Sequence, residues 1–179
     1  MLLQKFLLAA LIPAGFALFH DFGSDYDKAP NVATTALELD AGKPISISNN
    51  AIHWREDLFG AVKAGGMKQY FNGMAWYRKI GAAKVGEDIT LGGKAIAAGD
   101  WTVSIKVPGD DTSKFFLEWK KGETAVDVPL ELKGGHEVED HLILALTPRG
   151  GAGSKDFELK VGYGDHYGKI KGTIGGAKQ

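Results

Sequence analysis

Residues 101–107 read Trp-Thr-Val-Ser-Ile-Lys-Val, a segment in which every second side chain is apolar. Successive side chains of a β-strand point to opposite faces of the sheet, so Trp101, Val103, Ile105 and Val107 share one face. The residues between them are polar. The segment therefore predicts a strand with one face against a core and the other in water.

The same alternation recurs along the chain, in residues 37–40, 45–48, 126–132 and 157–163. Glycine-rich turn signals separate these segments, and Gly92–Gly93 suits a tight hairpin because glycine readily adopts positive φ. No long helical pattern competes. We predict an all-β fold with little helix, a two-layer antiparallel β-sandwich of the immunoglobulin-like or jelly-roll-like kind.

Two segments predict where particular strands lie within a sheet. His141–Leu146 is largely apolar at consecutive positions, which indicates a central strand covered on both faces. Pro129 interrupts another strand and has no N–H to donate, which predicts that this strand runs along an edge or is bulged there.

The N-terminus predicts export. A short basic start, Met1 to Lys5, precedes the apolar run Phe6 to Phe19, whose roughly 14 residues are too few to cross about 30 Å of hydrocarbon. We expect a signal peptide over residues 1–17, a linker or N-terminal arm over 18–35 and a β-sandwich domain over 36–179. The mature protein would then be periplasmic or secreted, with no integral membrane segment after cleavage.

Composition excludes several chemistries. The 179-residue chain has no cysteine, which excludes disulfides, thiolate nucleophiles and zinc sites that need cysteine. Its net charge of -1 and scattered lysines argue against nucleic-acid binding, which needs a basic surface. No cofactor motif is apparent, and a sandwich of 36–179 is long enough for a substantial core.

One part of the chain resembles a known family. The residues that carry the similarity are Phe59–Gly60, Trp76, Arg78, Gly81–Ala82, Gly92–Gly93 and Ala98–Gly99. In this order they resemble a family of bacterial exported proteins called domain of unknown function 2911, over about residues 45–174. The resemblance implies a β-sandwich and export, but no activity. The chain departs from the family pattern at Ala83, Lys84, Ala97 and Trp101, where the family has Asn, Glu, Pro and Tyr.

Aromatic side chains are the best indication of a binding site. Trp101 and Trp119 lie in phase with apolar strand positions, so we assign both to the core. The irregular region His53–Ile80 holds other aromatic and basic residues, and loops on a rigid sandwich commonly carry binding residues. The candidate ligand-binding residues are Trp54, Tyr70, Trp76, Tyr77 and Arg78. The structural alternative is that the aromatics plug one end of the sandwich as a small core.

Histidines offer two further hypotheses. His136, Glu139 and His141 form the alternative metal site, although a spacing of five places the two histidines on opposite faces of a strand. The second is a hydrolytic site around Tyr163–Tyr167, in which Asp165 precedes His166. We expect a turn there, because two adjacent residues rarely form the hydrogen bond that joins a catalytic histidine to its orienting carboxylate.

These patterns favour a non-catalytic role. The leading hypothesis is an exported β-sandwich that binds an unidentified ligand or protein partner through loop aromatics, without a metal or cofactor. A metal-dependent or hydrolytic enzyme that uses the 136–141 or 163–167 regions is one alternative. A structural cell-envelope protein is another.

Overall fold

The alternating segments form strands in the computed structural model of the protein. The structure describes residues 32–37, 43–54, 56, 60, 79–107, 114–135 and 137–175, all within the compact unit Asn31–Gln179. The strands are β1 (Val32–Leu37), β2 (Ile45–Asn50), β3 (Gly81–Val85), β4 (Ile89–Leu91), β5 (Lys94–Ile96), β6 (Gly99–Lys106), β7 (Phe115–Lys121), β8 (Thr124–Leu130), β9 (Glu139–Pro148), β10 (Asp156–Gly164) and β11 (His166–Ile174).

The strands form two antiparallel sheets that pack face to face. One sheet has the order β1-β2-β3-β6-β7-β8, and the other has the order β5-β4-β11-β10-β9. The predicted all-β sandwich is confirmed. Strand β1 begins at Val32, inside the segment assigned to the arm, and pairs along its length with β2.

The core lies between the sheets and follows the period of two. Trp101, Val103 and Ile105 of β6 are buried, as are Leu159 and Val161 of β10. The core assignment of Trp101 and Trp119 is confirmed, since they are only 4% and 1% exposed. The Trp101 indole N–H donates to the carbonyl oxygen of Ala97 at 2.9 Å, so its one polar group is satisfied.

Two local predictions are also confirmed. Gly92 and Gly93 connect β4 to β5 with φ of 57° and 75°, the positive values that a tight hairpin of this kind requires. Pro129 lies in β8, the edge strand of its sheet, where a missing N–H costs no ladder hydrogen bond.

The prediction that His141–Leu146 is a central strand is wrong. This segment belongs to β9, which is the edge strand of the five-stranded sheet. Leu142 and Leu144 face the core, whereas Ile143 on the other face is 37% exposed, so the two-sided apolar pattern does not mark a central position. Within the described residues, no further strand pairs with this edge of β9, and residues of the opposite sheet lie against it.

Side chains of the opposite sheet bond to the backbone along the edge of β9. Asn49 Nδ2 donates to the Leu142 carbonyl at 2.8 Å, and the Leu144 N–H lies 3.4 Å from Asn49 Oδ1. Further along, Thr35 Oγ1 accepts from the Leu146 N–H and donates to the Leu144 carbonyl, both at 3.3 Å. A side-chain amide and a hydroxyl thus occupy places where the peptide groups of a neighbouring strand would lie.

Candidate functional site

The segment Ile52–Trp54 extends this cover of β9 towards one end of the sandwich. The Leu142 N–H donates to the Ile52 carbonyl and the Trp54 N–H donates to the Asp140 carbonyl, each at 2.8 Å. These two bonds flank His53 and His141, which face each other as an isolated bridge. In an antiparallel pair this arrangement is the non-hydrogen-bonded position, where side chains come closest.

Trp54 closes the end of the sandwich above the β10–β11 hairpin. Its ring meets the Tyr163 ring edge to face, with the centroids 4.8 Å apart and an interplanar angle of 87°. The centroid of the His166 ring, on β11, lies 5.7 Å from the centroid of the Trp54 ring. Trp54 is half-buried and Tyr163 is 2% exposed, so the indole forms the boundary between core and solvent.

Gly164 makes room for this indole. It is the first residue of the two-residue turn Gly164–Asp165 and has φ of 61°, which matches a type II′ hairpin. A Cβ atom at this position would collide with the ring carbons of Trp54. The turn therefore needs glycine twice, once for its backbone and once for the close approach of the indole.

The buried phenol of Tyr163 holds the same segment from the other side. Its hydroxyl donates to the carbonyl oxygen of His53 at 2.9 Å. Together with the two backbone bonds to β9, this contact anchors His53 and Trp54 to both β9 and β10. The side chains at this end consequently lie on a supported backbone, which is a requirement for a preorganised site.

Asp165 and His166 lie at the tip of the hairpin. The region is a turn followed by a strand, as predicted, and the two adjacent side chains lie in close contact. Asp165 Oδ1 lies 2.5 Å from His166 Nδ1, an ion pair whenever the imidazole is protonated. The turn directs the Asp165 carboxylate and the His166 imidazole towards each other. The imidazole side chain is 12% exposed and the carboxylate 46%, so water reaches this pair from the carboxylate side.

The loop after β8 covers the other side of His166. Lys133 and Tyr167 exchange two backbone hydrogen bonds of 2.9 Å, which brings Gly134 over the hairpin. A Cβ at Gly134 would lie 3.7 Å from Asp165 Oδ2 and 3.9 Å from His166 Nε2, an ordinary contact distance. Four separate parts of the chain therefore meet at this end of the sandwich.

His53 and His141 form a second pair beside Trp54. Their ring centroids are 4.1 Å apart, with the planes inclined at 43°. His53 is exposed and His141 is half-buried. Glu139 lies two residues before His141 on β9, so both side chains project from the same face of the strand. The Cγ atom of Glu139 lies beside Gly162, 3.3 Å from the position that a Cβ atom on Gly162 would occupy.

The structure describes some of the predicted site residues. Trp54, Glu139 and His141 lie at this end of the sandwich, whereas Tyr70, Trp76, Tyr77, Arg78 and His136 lie outside the described residues. Among the residues described, no group of three or more His, Asp or Glu side chains is placed to hold a metal ion. The metal set His136, Glu139 and His141 therefore stays a prediction.

His53, Asn49 and Gly164 were missed by the sequence analysis. Asn49 carried a signal, because it continues the buried phase of Ile45 and Ile47 with a polar side chain. His53 carried none, since its partner lies on a strand far along the chain. Gly164 lies in the turn that the sequence predicts, but its contact with the Trp54 indole depends on tertiary structure.

Comparison of the chain with protein-family models, curated proteins and solved structures found no match. The resemblance to the exported bacterial family therefore stays a prediction from the motif residues. In the part of the chain that the structure describes, no helix is long and apolar enough to span a membrane.

Proposed function

We propose that this protein is an exported, non-catalytic β-sandwich that binds a ligand at the end of the sandwich closed by Trp54. The signal-peptide segment 1–17 lies outside the described residues, so export rests on its apolar run. The resemblance to the exported bacterial family supports the same compartment. The proposal for the site rests on the geometry around the indole.

The observation that carries the proposal is a half-exposed indole on a rigid support. Trp54 is fixed against Tyr163 and Gly164, and its backbone is bonded to β9. A rigid aromatic side chain loses little conformational entropy when it contacts a ligand. Binding sites typically combine such an apolar surface with a few polar groups that fix orientation. Here the carboxylate of Asp165 and the nearby imidazoles are those groups.

This combination fits a sugar ring best. The apolar C–H face of a pyranose can stack on an indole, while its hydroxyl groups bond to a carboxylate and to imidazole nitrogens. The formal net charge of -1 provides no broad electrostatic attraction for a highly charged ligand. A neutral oligosaccharide is therefore the class of ligand to test first.

The test measures binding of soluble cello-, chito-, malto- and xylo-oligosaccharides by isothermal titration calorimetry. We expect one of these classes to bind, and Trp54→Ala to weaken that binding at least tenfold. Trp54→Phe should retain more of the affinity because it keeps an aromatic ring. A titration of each class without heat of binding, or equal affinity in Trp54→Ala and the parent chain, would contradict the proposal.

Thermal melting separates a binding role from a purely structural one. Trp54→Ala should keep a cooperative transition, although at a lower temperature because the indole packs on Tyr163. If the variant has no melting transition, Trp54 belongs to a plug that the fold requires, which is the structural alternative. Trp54→Phe then decides the question, since it keeps an aromatic ring beside Tyr163 and removes the rest of the indole.

The hydrolytic alternative is supported by one observation, the close approach of Asp165 to His166. A carboxylate at Nδ1 orients an imidazole so that Nε2 can act as a base. Substrate turnover that disappears in His166→Gln and persists in Trp54→Phe would favour this alternative over pure binding.

A further inference from the structure

We propose that His53 and His141 form a bidentate site for a late first-row divalent cation, of which Zn²⁺ and Cu²⁺ are the representatives. The site lies on the outer face of the β9 edge and goes beyond the binding role of Trp54. It also differs from the predicted metal set, because it does not use His136.

The backbone places the two histidines opposite each other. The bonds from Trp54 N–H to the Asp140 carbonyl and from Leu142 N–H to the Ile52 carbonyl flank the pair on either side. At such a non-hydrogen-bonded position the Cβ atoms are about 4.5–5.5 Å apart and the side chains leave the same face. Two imidazoles on one face of adjacent strands can reach a common ion without any change in the backbone.

The ring geometry is close to that of a chelate. A zinc–nitrogen distance of about 2.0–2.1 Å puts the centroids of two ligating imidazoles roughly 5 Å apart. The centroids of His53 and His141 are 4.1 Å apart and their planes are inclined at 43°. A small outward rotation about the side-chain bonds therefore separates the rings enough to admit the ion between their nitrogens.

The imidazole nitrogens are available for coordination. Among the described residues, no hydrogen bond or ion pair ends on the ring of His53 or of His141. His53 is exposed, so water can complete the coordination shell. Imidazole nitrogen is a good ligand for zinc and copper, and affinity rises towards copper in the divalent series.

Local charge and rigidity both favour a cation here. Glu139 projects from the same face of β9 as His141, and Asp140 lies between them in the sequence. Carboxylates near a bound cation lower its energy even without direct ligation. The Tyr163 hydroxyl bond to the His53 carbonyl and the two bonds to β9 hold the first ligand in position. Little ordering entropy then opposes binding.

The test titrates the full chain with Zn²⁺ alone at pH 7.5, followed by calorimetry. We expect one ion per chain with micromolar affinity and tighter binding of Cu²⁺. His53→Ala and His141→Ala should each weaken Zn²⁺ binding at least tenfold, and the double variant should abolish it. Because a ligating imidazole must be neutral, the affinity should also fall markedly at pH 5.

His136→Ala is the matched control, because His136 belongs to the metal set predicted from the sequence. Binding that survives in His136→Ala and fails in His53→Ala supports the pair proposed here. The opposite result, or no saturable binding of Zn²⁺ up to 100-fold excess over micromolar protein, overturns it. Since both histidines are at least partly exposed, every variant should melt at the parent temperature without metal, and only the parent and His136→Ala should melt higher with Zn²⁺.

Discussion

The two corners at which the sheets meet are closed by different means. At the β9 corner, the Asn49 amide, the Thr35 hydroxyl and the backbone of Ile52–Trp54 bond to the edge of the strand. At the corner between β5 and β8, the hairpin residue Gly92 rests on apolar atoms. A Cβ there would lie 2.9 Å from Val128 Cγ1 and 3.1 Å from Ile170 Cγ2.

The difference shows how a sandwich acquires a place for chemistry. An apolar corner requires only that side chains fill its volume, and many apolar side chains of suitable size can do so. A polar corner needs donors and acceptors at defined positions, because a buried peptide group without a partner costs free energy. Residues 49–54 meet that need along β9, and the same segment carries His53 and Trp54 into place. The segment that covers the edge of β9 therefore also positions the residues of both candidate sites.

Substitution of Gly164, which packs on Trp54, and of Gly92 at the apolar corner tests this difference with the largest expected effect. Gly164→Ala should lower the free energy of unfolding by about 2–5 kcal/mol, since a positive φ costs about 1–2 kcal/mol and overpacking against the Trp54 indole adds about 1–3 kcal/mol. Gly92→Ala should cost about 2–3 kcal/mol, because the same backbone cost adds to a smaller overlap with the methyl groups of Val128 and Ile170 than Gly164 has with the indole. Urea unfolding measures both.

Gly93→Ala is the control for backbone strain alone. Gly93 has φ of 75°, and nothing lies within 4 Å of a Cβ built on it. Its loss should be about 1–2 kcal/mol, the backbone term without overpacking. Equal losses in the Gly164 and Gly93 variants would show that the indole moves away freely, and that Trp54 is not the rigid support required for binding.

Asn49→Leu tests the polar closure of β9 directly. The side chain is similar in size, but the Leu142 carbonyl and the Leu144 N–H lose their partner. We expect a loss of about 2–3 kcal/mol in urea unfolding, since each unsatisfied buried group costs about 1–3 kcal/mol and the 3.4 Å bond is weak.

Ser48→Ala is the matched control on the same strand. The Ser48 hydroxyl donates to the Ala82 carbonyl at 3.3 Å on the exposed face of β2, so its removal should change stability by less than about 0.5 kcal/mol. If Asn49→Leu proved as harmless as this change, the amide would contribute shape alone and the two corners would not differ in kind.

Lys106→Met sharpens the comparison with polar contacts that lie in water. Lys106 Nζ lies 2.8 Å from Asp127 and 3.0 Å from Glu118 on the outer face of the six-stranded sheet. The Lys106 and Asp127 side chains are 39% and 41% exposed, so solvent screens them and we expect a loss of only about 0.5 kcal/mol at pH 7.

The pH dependence of this small effect has a defined sign. The hydrogen bond to Asp127, followed by that to Glu118, raises the pKa of Lys106 above its ordinary value of 10.5, against a lowering by partial burial. The contribution of the ion pairs is therefore complete below pH 10.5 and disappears as the pH rises through the folded-state pKa. The difference between Lys106→Met and the parent chain should shrink at alkaline pH and in 1 M salt. A difference that grows with pH would contradict this assignment.

Much of the fold could be predicted from the sequence because alternation reports burial directly. Residues 101–107 and 157–163 bury their apolar phase, Gly92–Gly93 forms the hairpin, and Pro129 lies in an edge strand. The two-sided apolar pattern of residues 141–146 was misinterpreted, because β9 is an edge strand whose outer face carries the exposed side chain of Ile143. The sequence of β9 does not indicate that the side chains of Asn49 and Thr35, on distant strands, bond to its edge.

The candidate site was only partly predictable for the same reason. Trp54 stood out as an aromatic residue outside the alternating segments, but its contact with Gly164 and Tyr163 depends on tertiary structure. The closeness of His53 and His141 follows from a bridge between a loop and an edge strand, which no spacing in the sequence encodes. Asp165 and His166 were judged by their adjacency, whereas the turn geometry brought their side chains together.

The cover of β9 also has a consequence for the order in which the protein folds. The side-chain bonds from Asn49 and Thr35 join residues that are 93 to 111 positions apart in the chain. Closing such long loops is entropically costly, so contacts of this kind form after local hairpins such as β4–β5 and β10–β11. Asn49→Leu should then accelerate unfolding and leave the refolding rate nearly unchanged, which is the signature of an interaction absent from the transition state. Until that last step the edge of β9 is open to pairing with other chains, and its closure is what ends the period of vulnerability to aggregation.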